Sequence, residues 1–84
     1  SYYNATTNRY DAATVTIKNY AATSLDGTVH VYLYDSEKHI IASGSKPFTG
    51  LGPGTTFTTV VSLVWEEGRD ITDFMSGSVV VMPA

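Results

Sequence analysis

Between Thr28 and Tyr34 the apolar residues Val29, Val31 and Leu33 alternate strictly with His30, Tyr32 and Tyr34. A period of two puts these sets on opposite faces of an extended ribbon, where a helix would scatter them, and the β-branched and aromatic side chains suit a pleated surface. The same period recurs from Ala13 to Lys18, with Val15 and Ile17 on one side and Thr14, Thr16 and Lys18 on the other. Strands of this kind bury one face each and need a second layer to bury it against. At 84 residues with Cys 0, the chain has no disulfide or thiolate metal site to assist that layer, so the apolar core must suffice.

Turn formers punctuate the rest. Residues 19–27 close on Asp26-Gly27, so an antiparallel pair of 13–18 with 28–34 is expected. Asp35 to Lys38 forms a polar turn, and Ile40 to Ser45 reads as a weaker returning strand whose length Gly44 limits. Residues 46–56 read as an irregular crossing segment, with Phe48 and Leu51 as apolar plugs and a turn at Gly52-Pro53-Gly54. Alternation then resumes to Trp65, with Phe57, Val61, Leu63 and Trp65 on one side of the longest strand candidate. Beyond a charged loop, Asp70 is placed to cap a single helical turn over residues 71–74, unless that segment is extended. The β-branched run from Ser76 to Met82 belongs inside a sheet. Residues 1–11 read as an edge strand or a loose arm of one domain spanning 1–84. The pattern predicts an all-β, immunoglobulin-like antiparallel β-sandwich of about seven strands, with a small barrel as the alternative.

Charge narrows the function classes. Only 5 Lys+Arg are scattered against 8 Asp+Glu, so no basic stripe is present for phosphates, and nucleic acid is not expected as a partner. The charged fraction of 15% lies well under the usual roughly 25%, while Ser and Thr are plentiful, a balance that suits a secreted or surface-exposed protein. No apolar run approaches the length of a membrane span. A first residue Ser1 in place of Met is expected of a processed chain, with any membrane anchor lying upstream.

Catalytic constellations are absent from the pattern. Glu66, Glu67, Asp70 and Asp73 cluster in one hydrophilic segment, whereas paired-carboxylate catalysis needs two environments across a cleft, and the spacing is not that of a calcium loop. His30 and His39 are the only imidazoles and lack further metal ligands. No Ser occupies a G-x-S-x-G elbow, and the glycines at 50, 52 and 54 precede a strand, where no helix terminus is available for a phosphate. No enzyme, cofactor or metal is therefore expected. Asn4-Ala5-Thr6 is an N-glycosylation acceptor sequence. His30, Tyr32 and Tyr34 form an amphipathic stripe that reads either as a contact surface or as rings packed across the outer face of a sheet. Trp65 reads either as a sugar-stacking platform or, from its register, as the end of a core strand.

One arrangement carries a family resemblance. Val15 to Asn19, then Val31-Tyr32-Leu33-Tyr34-Asp35, then Leu51-Gly52-Pro53-Gly54 resembles the prokaryotic FxLYD and related CARDB-type domains over about Thr14 to Leu63. In those families a first strand ends in Asn, a long strand ends in Leu-Tyr-Asp, and a Leu-x-Pro-Gly turn precedes another strand; Val31 stands where the family name has Phe. The resemblance implies an extracytoplasmic immunoglobulin-like accessory or adhesion module with no catalytic residues. The architecture is also similar to the sandwich domains of archaeal surface filaments and archaellum stator proteins. Two functions follow as expectations: a non-catalytic module at the cell surface that docks another subunit, an envelope component or its own copy, and alternatively a carbohydrate-binding module of a secreted enzyme.

Overall fold

The computed structural model describes residues 2–84. They form eight strands and, among the described residues, no helix: β1 (Tyr3–Asn4), β2 (Arg9–Tyr10), β3 (Ala12–Lys18), β4 (Leu25–Tyr34), β5 (Ile40–Leu51), β6 (Thr56–Ser62), β7 (Val64–Trp65) and β8 (Ser76–Pro83). All pairings are antiparallel. A four-stranded sheet in the order β7-β5-β4-β8 packs against the two-stranded sheet β3-β6, and β1 pairs only with β2. The result is a small β-sandwich with eight strands where about seven were expected, β1, β2 and β7 being only two residues long.

The inner faces follow the alternation. Val29 and Val31 of β4, Phe48 of β5, Val15 of β3 and Val61 of β6 make the buried cluster, and Ile17, Leu33, Leu51 and Phe57 pack around it. Full burial of each such side chain is worth about 1.5–3 kcal/mol. Gly44 lies on the inner face of β5 opposite Val31. A Cβ there would stand 2.0 Å from the Ser62 carbonyl oxygen and 2.9 Å from a Val61 methyl, so β6 approaches β5 through the space a side chain would occupy.

Several local expectations are corrected. β3 does not form a hairpin with β4; it pairs with β6 along its whole length, from Ala12↔Ser62 to Lys18↔Thr56. Asp26-Gly27 is not a turn but part of β4, because a Cβ at Gly27 would sit 2.9 Å from the Phe48 ring, and the Asp26 carboxylate accepts the Gly50 amide at 2.8 Å. β5 does not stop near Gly44 but continues through Pro47 to Leu51; it pairs with β7 only at Ala42 and Ser43, so Pro47 stands where the other edge of β5 is unpaired. The segment ending in Trp65 is not one strand. At Leu63, whose amide donates to the Asp11 carbonyl at 2.8 Å, the chain leaves β3 and joins β5, so Trp65 lies outside the core cluster. Residues 70–74 make successive tight turns, with the Asp73 amide on the Asp70 carbonyl and the Phe74 amide on that of Ile71, and no helix.

The largest correction concerns β8. It pairs with β4 on one side only and is an edge strand. The core draws on β3, β4, β5 and β6 and takes nothing from β8, so its inward-facing Val79 and Val81 stay 51% and 40% exposed. A two-stranded layer is too narrow to cover a four-stranded sheet.

Asn19, at the end of β3, joins the layers. It is 2% exposed and fully engaged. Its backbone amide donates to Thr55 (3.0 Å) and its carbonyl accepts from Gly54 (2.8 Å), fixing the start of β6 beside β3. Its side-chain amide donates to the Thr23 and Leu51 carbonyls, both at 2.9 Å, and its side-chain oxygen accepts the Ala21 amide at 2.8 Å. Asn19→Ala leaves buried carbonyls and an amide without partners and is expected to cost about 3 kcal/mol, measured by urea denaturation. Asn19→Asp is expected to cost more at neutral pH, since a carboxylate cannot donate to two carbonyls. Gly44→Ala should also lose about 3 kcal/mol through forced separation of the layers, with near-native circular dichroism below the lowered Tm.

Candidate functional site

His30, Tyr32 and Tyr34 leave β4 on the face opposite the core. The register places Ser45 and Val80 beside His30, Ser43 and Ser78 beside Tyr32, and Ser76 beside Tyr34. All three rings are half-buried. The His30 and Tyr32 rings stack with centroids 6.1 Å apart and planes 4° from parallel. Tyr34 is held by a hydrogen bond between its hydroxyl and Ser78 Oγ at 2.9 Å, which ties β4 to β8. The members of the stripe differ: Tyr34 is a stitch within the sheet, while His30 and Tyr32 are ordered against each other with their rings parallel. A shallow depression lies beside them, bounded by Ser43, Ser45, Ser62 and Val64.

The acidic loop is organised by one cation. Arg69 reaches Glu66 at 3.2 Å, Asp35 at 3.3 Å and Asp73 at 3.6 Å. Asp35 is buried, and one of its oxygens accepts the amides of Glu37 and His39, each at 2.9 Å, closing the β4–β5 turn. His39 Nδ1 lies 3.5 Å from the other oxygen. The His39 amide holds the Asp35 carboxyl below its ordinary value; burial opposes this, and the Glu37 amide and the charges of His39 and Arg69 reinforce it. Asp70 is likewise lowered, mainly by the Thr72 hydroxyl and amide. These groups tie the β4–β5 turn to the β7–β8 loop. His30 and His39 do not meet in a ligand set, and the described residues contain no group of three or more metal-ligating side chains.

Trp65 is occupied within the fold. Its indole N–H donates to the Tyr10 carbonyl at 2.8 Å, and the Arg9 guanidinium stands 5.8 Å from the ring centroid. Arg9 also donates to the Arg69 carbonyl at 2.7 Å and the Glu66 carbonyl at 3.2 Å, so the β1–β2 hairpin is clamped to the loop that follows β7. Asn4 sits where that hairpin turns, its oxygen accepting the Thr6 amide at 3.0 Å and its amide reaching Asp11 at 3.2 Å. At the opposite end, Phe48, Leu51 and Phe57 line an apolar hollow with Pro47 and Thr55, and no titratable side chain borders it.

Sequence reasoning singled out the stripe but not the roles of Asp35, Arg69 and Arg9, whose partners lie as many as 60 residues away along the chain. The one signal for Arg69 was a lone cation among acids. For Asp35 and Asp70, whose folded pKa values are depressed, stability is complete above the ordinary value of 3.8 and is lost as pH falls through the lower folded values. Denaturation midpoints from pH 7 to pH 2 should therefore fall below about pH 4, and Asp35→Asn should flatten that acid limb without abolishing it, because Asp70 remains. Compared with known proteins, the chain matches no family model, no curated protein and no solved structure.

Proposed function

We propose that the chain is a non-catalytic extracytoplasmic module that docks a neighbouring protein subunit or envelope component through the outer face of its four-stranded sheet. The observation that carries this reading is the pair of parallel rings of His30 and Tyr32, flanked by Ser43, Ser45 and Ser78 and partly exposed on the outer face of the sheet. A preordered aromatic pair loses little conformational freedom on contact and offers broad apolar area with polar tips, the character of residues that dominate protein interfaces. The low charge and hydroxyl-rich composition support a place outside the cytoplasm. The likeness to FxLYD and CARDB-type domains gains support from the spatial meeting of its scattered motif: Asn19 hydrogen-bonds to Leu51 and Gly54 of the Leu-Gly-Pro-Gly turn. A surface filament or archaellum stator is one assembly in which such a domain serves. The carbohydrate-binding alternative is less favoured, because Trp65 lies beneath Arg9 and its N–H is already used.

Sedimentation over a concentration series tests the proposal. Reversible association of the wild-type domain, weakened at least about tenfold in His30→Ser/Tyr32→Ser, is expected. Tyr34 is left intact because its loss would loosen β8. Oligosaccharides are expected to leave Trp65 fluorescence unchanged. A wild-type monomer at every concentration, with sugar-induced quenching, would overturn the docking function.

A further inference from the structure

β8 offers a second surface, independent of the aromatic face. The Ala84 amide donates to the Asp26 carbonyl at 2.9 Å, and the β4–β8 register runs without a break from Gly27↔Pro83 to Tyr34↔Ser76. In an antiparallel ladder the backbone groups of alternate residues point to the same neighbour. Ser76, Ser78, Val80 and Met82 therefore turn their backbone groups towards β4, and Gly77, Val79, Val81 and Pro83 turn theirs to the open edge. No charged side chain occurs between Ser76 and Pro83. Natural edge strands are usually blocked by Lys, Pro or a bulge. Here the only such device is Pro83, at the last position of the strand.

We propose that this edge pairs with the same edge of a second copy, antiparallel, with Val80 on the two-fold axis. Val79 then faces Val81 of the second copy, and each pair exchanges two N–H to C=O bonds. In the two outer pairs only one bond forms: Gly77 donates to the carbonyl of Pro83 of the second copy, and the Gly77 carbonyl, at the end of the strip, finds no proline N–H and is left to water. The inward-facing Val79 and Val81, which no layer of their own chain covers, meet their counterparts across the new strand pair, and Val80 meets Val80 on the outer face. An uncharged, β-branched strip gives no electrostatic complement for a charged partner and asks for another strand of its own kind, which β8 supplies in self-complementary register. Pairing two such edges covers on the order of 800 Å² over both copies, the range of weak, reversible encounters.

The absence of cysteine makes the test direct. In the proposed register Val80 meets its copy at a non-hydrogen-bonded position, with Cα atoms about 4.5 Å apart, within reach of a disulfide. Val80→Cys is expected to give a covalent dimer under mild oxidation, and Met82→Cys, which is more exposed yet lies opposite Ser78 of the second copy, at least tenfold less. Val81→Pro removes an outward N–H that the β4–β8 ladder does not use, so the domain stays folded while dimer formation by Val80→Cys falls at least tenfold. Val79→Lys gives the same loss by placing charge on the strip and serves if Val81→Pro does not fold. Cross-linking of Met82→Cys as fast as Val80→Cys, no Val80→Cys dimer from roughly 10 µM to 1 mM, or a dimer that neither edge variant weakens would each overturn the pairing. Val80→Cys cross-linking within twofold of its own value in a His30→Ser/Tyr32→Ser background separates this edge from the aromatic face. Association lost only in the face variant would leave the docking function standing without the edge.

Discussion

One buried asparagine organises this sandwich. Asn19 ends β3, and its five hydrogen bonds reach residues 21, 23, 51, 54 and 55. It thereby joins the connection into β4, the end of β5 and the turn into β6, the places where the two layers are linked. In so small a domain no disulfide supplies this cross-link. A fully satisfied polar group inside an apolar surround does so by directionality: any other pairing of β3 would leave several buried groups unpartnered, at a cost of about 1–3 kcal/mol each. Hydrophobic burial sets how much is gained by stacking the layers, and Asn19 selects which strand lies beside β3.

The unequal widths of the layers follow from the same arrangement. β3 and β6 cover β4 and β5 and reach no further, so the larger sheet keeps an open edge on β8 and an uncovered outer face. At the other flank the chain crosses at Leu63 and pairs with β5 as β7, giving that side a partial barrel-like closure. The β8 edge and the outer face are the two surfaces proposed for contact, while the polar cluster around Arg69 holds loops together.

That cluster illustrates how titratable groups are used here. Asp35, Glu66 and Asp73 surround Arg69, while the Asp35 oxygens also accept amides at the turn before β5. The result is a cross-linked junction between two loops, with the Arg9–Trp65 clamp extending it to the β1–β2 hairpin. Its charges are paired within the fold, and Asp35, His39, Arg69 and Asp73 also border a depression closed on its other side by Phe74 and Met75. The apolar hollow at the far end is bordered by no ionisable side chain.

Alternation by itself determined which side chains share a face: Val15 with Ile17, Val29 with Val31 and Leu33, and His30 with Tyr32 and Tyr34 on the opposite side. It determined the all-β class and the polar turn at Asp35 for the same local reason, since a strand's period is written in consecutive residues. Only the tertiary structure decided that β3 lies beside β6, that Asp26-Gly27 is strand because Phe48 needs the space, and that Trp65 belongs to a clamp. It also decided that the apolar run of β8 is an edge. Valine at every position reads the same in a central strand and in an exposed one, because coverage depends on how many strands the opposing layer contains. That number is set by pairings between residues distant along the chain, and Asn19 is where those pairings are chosen.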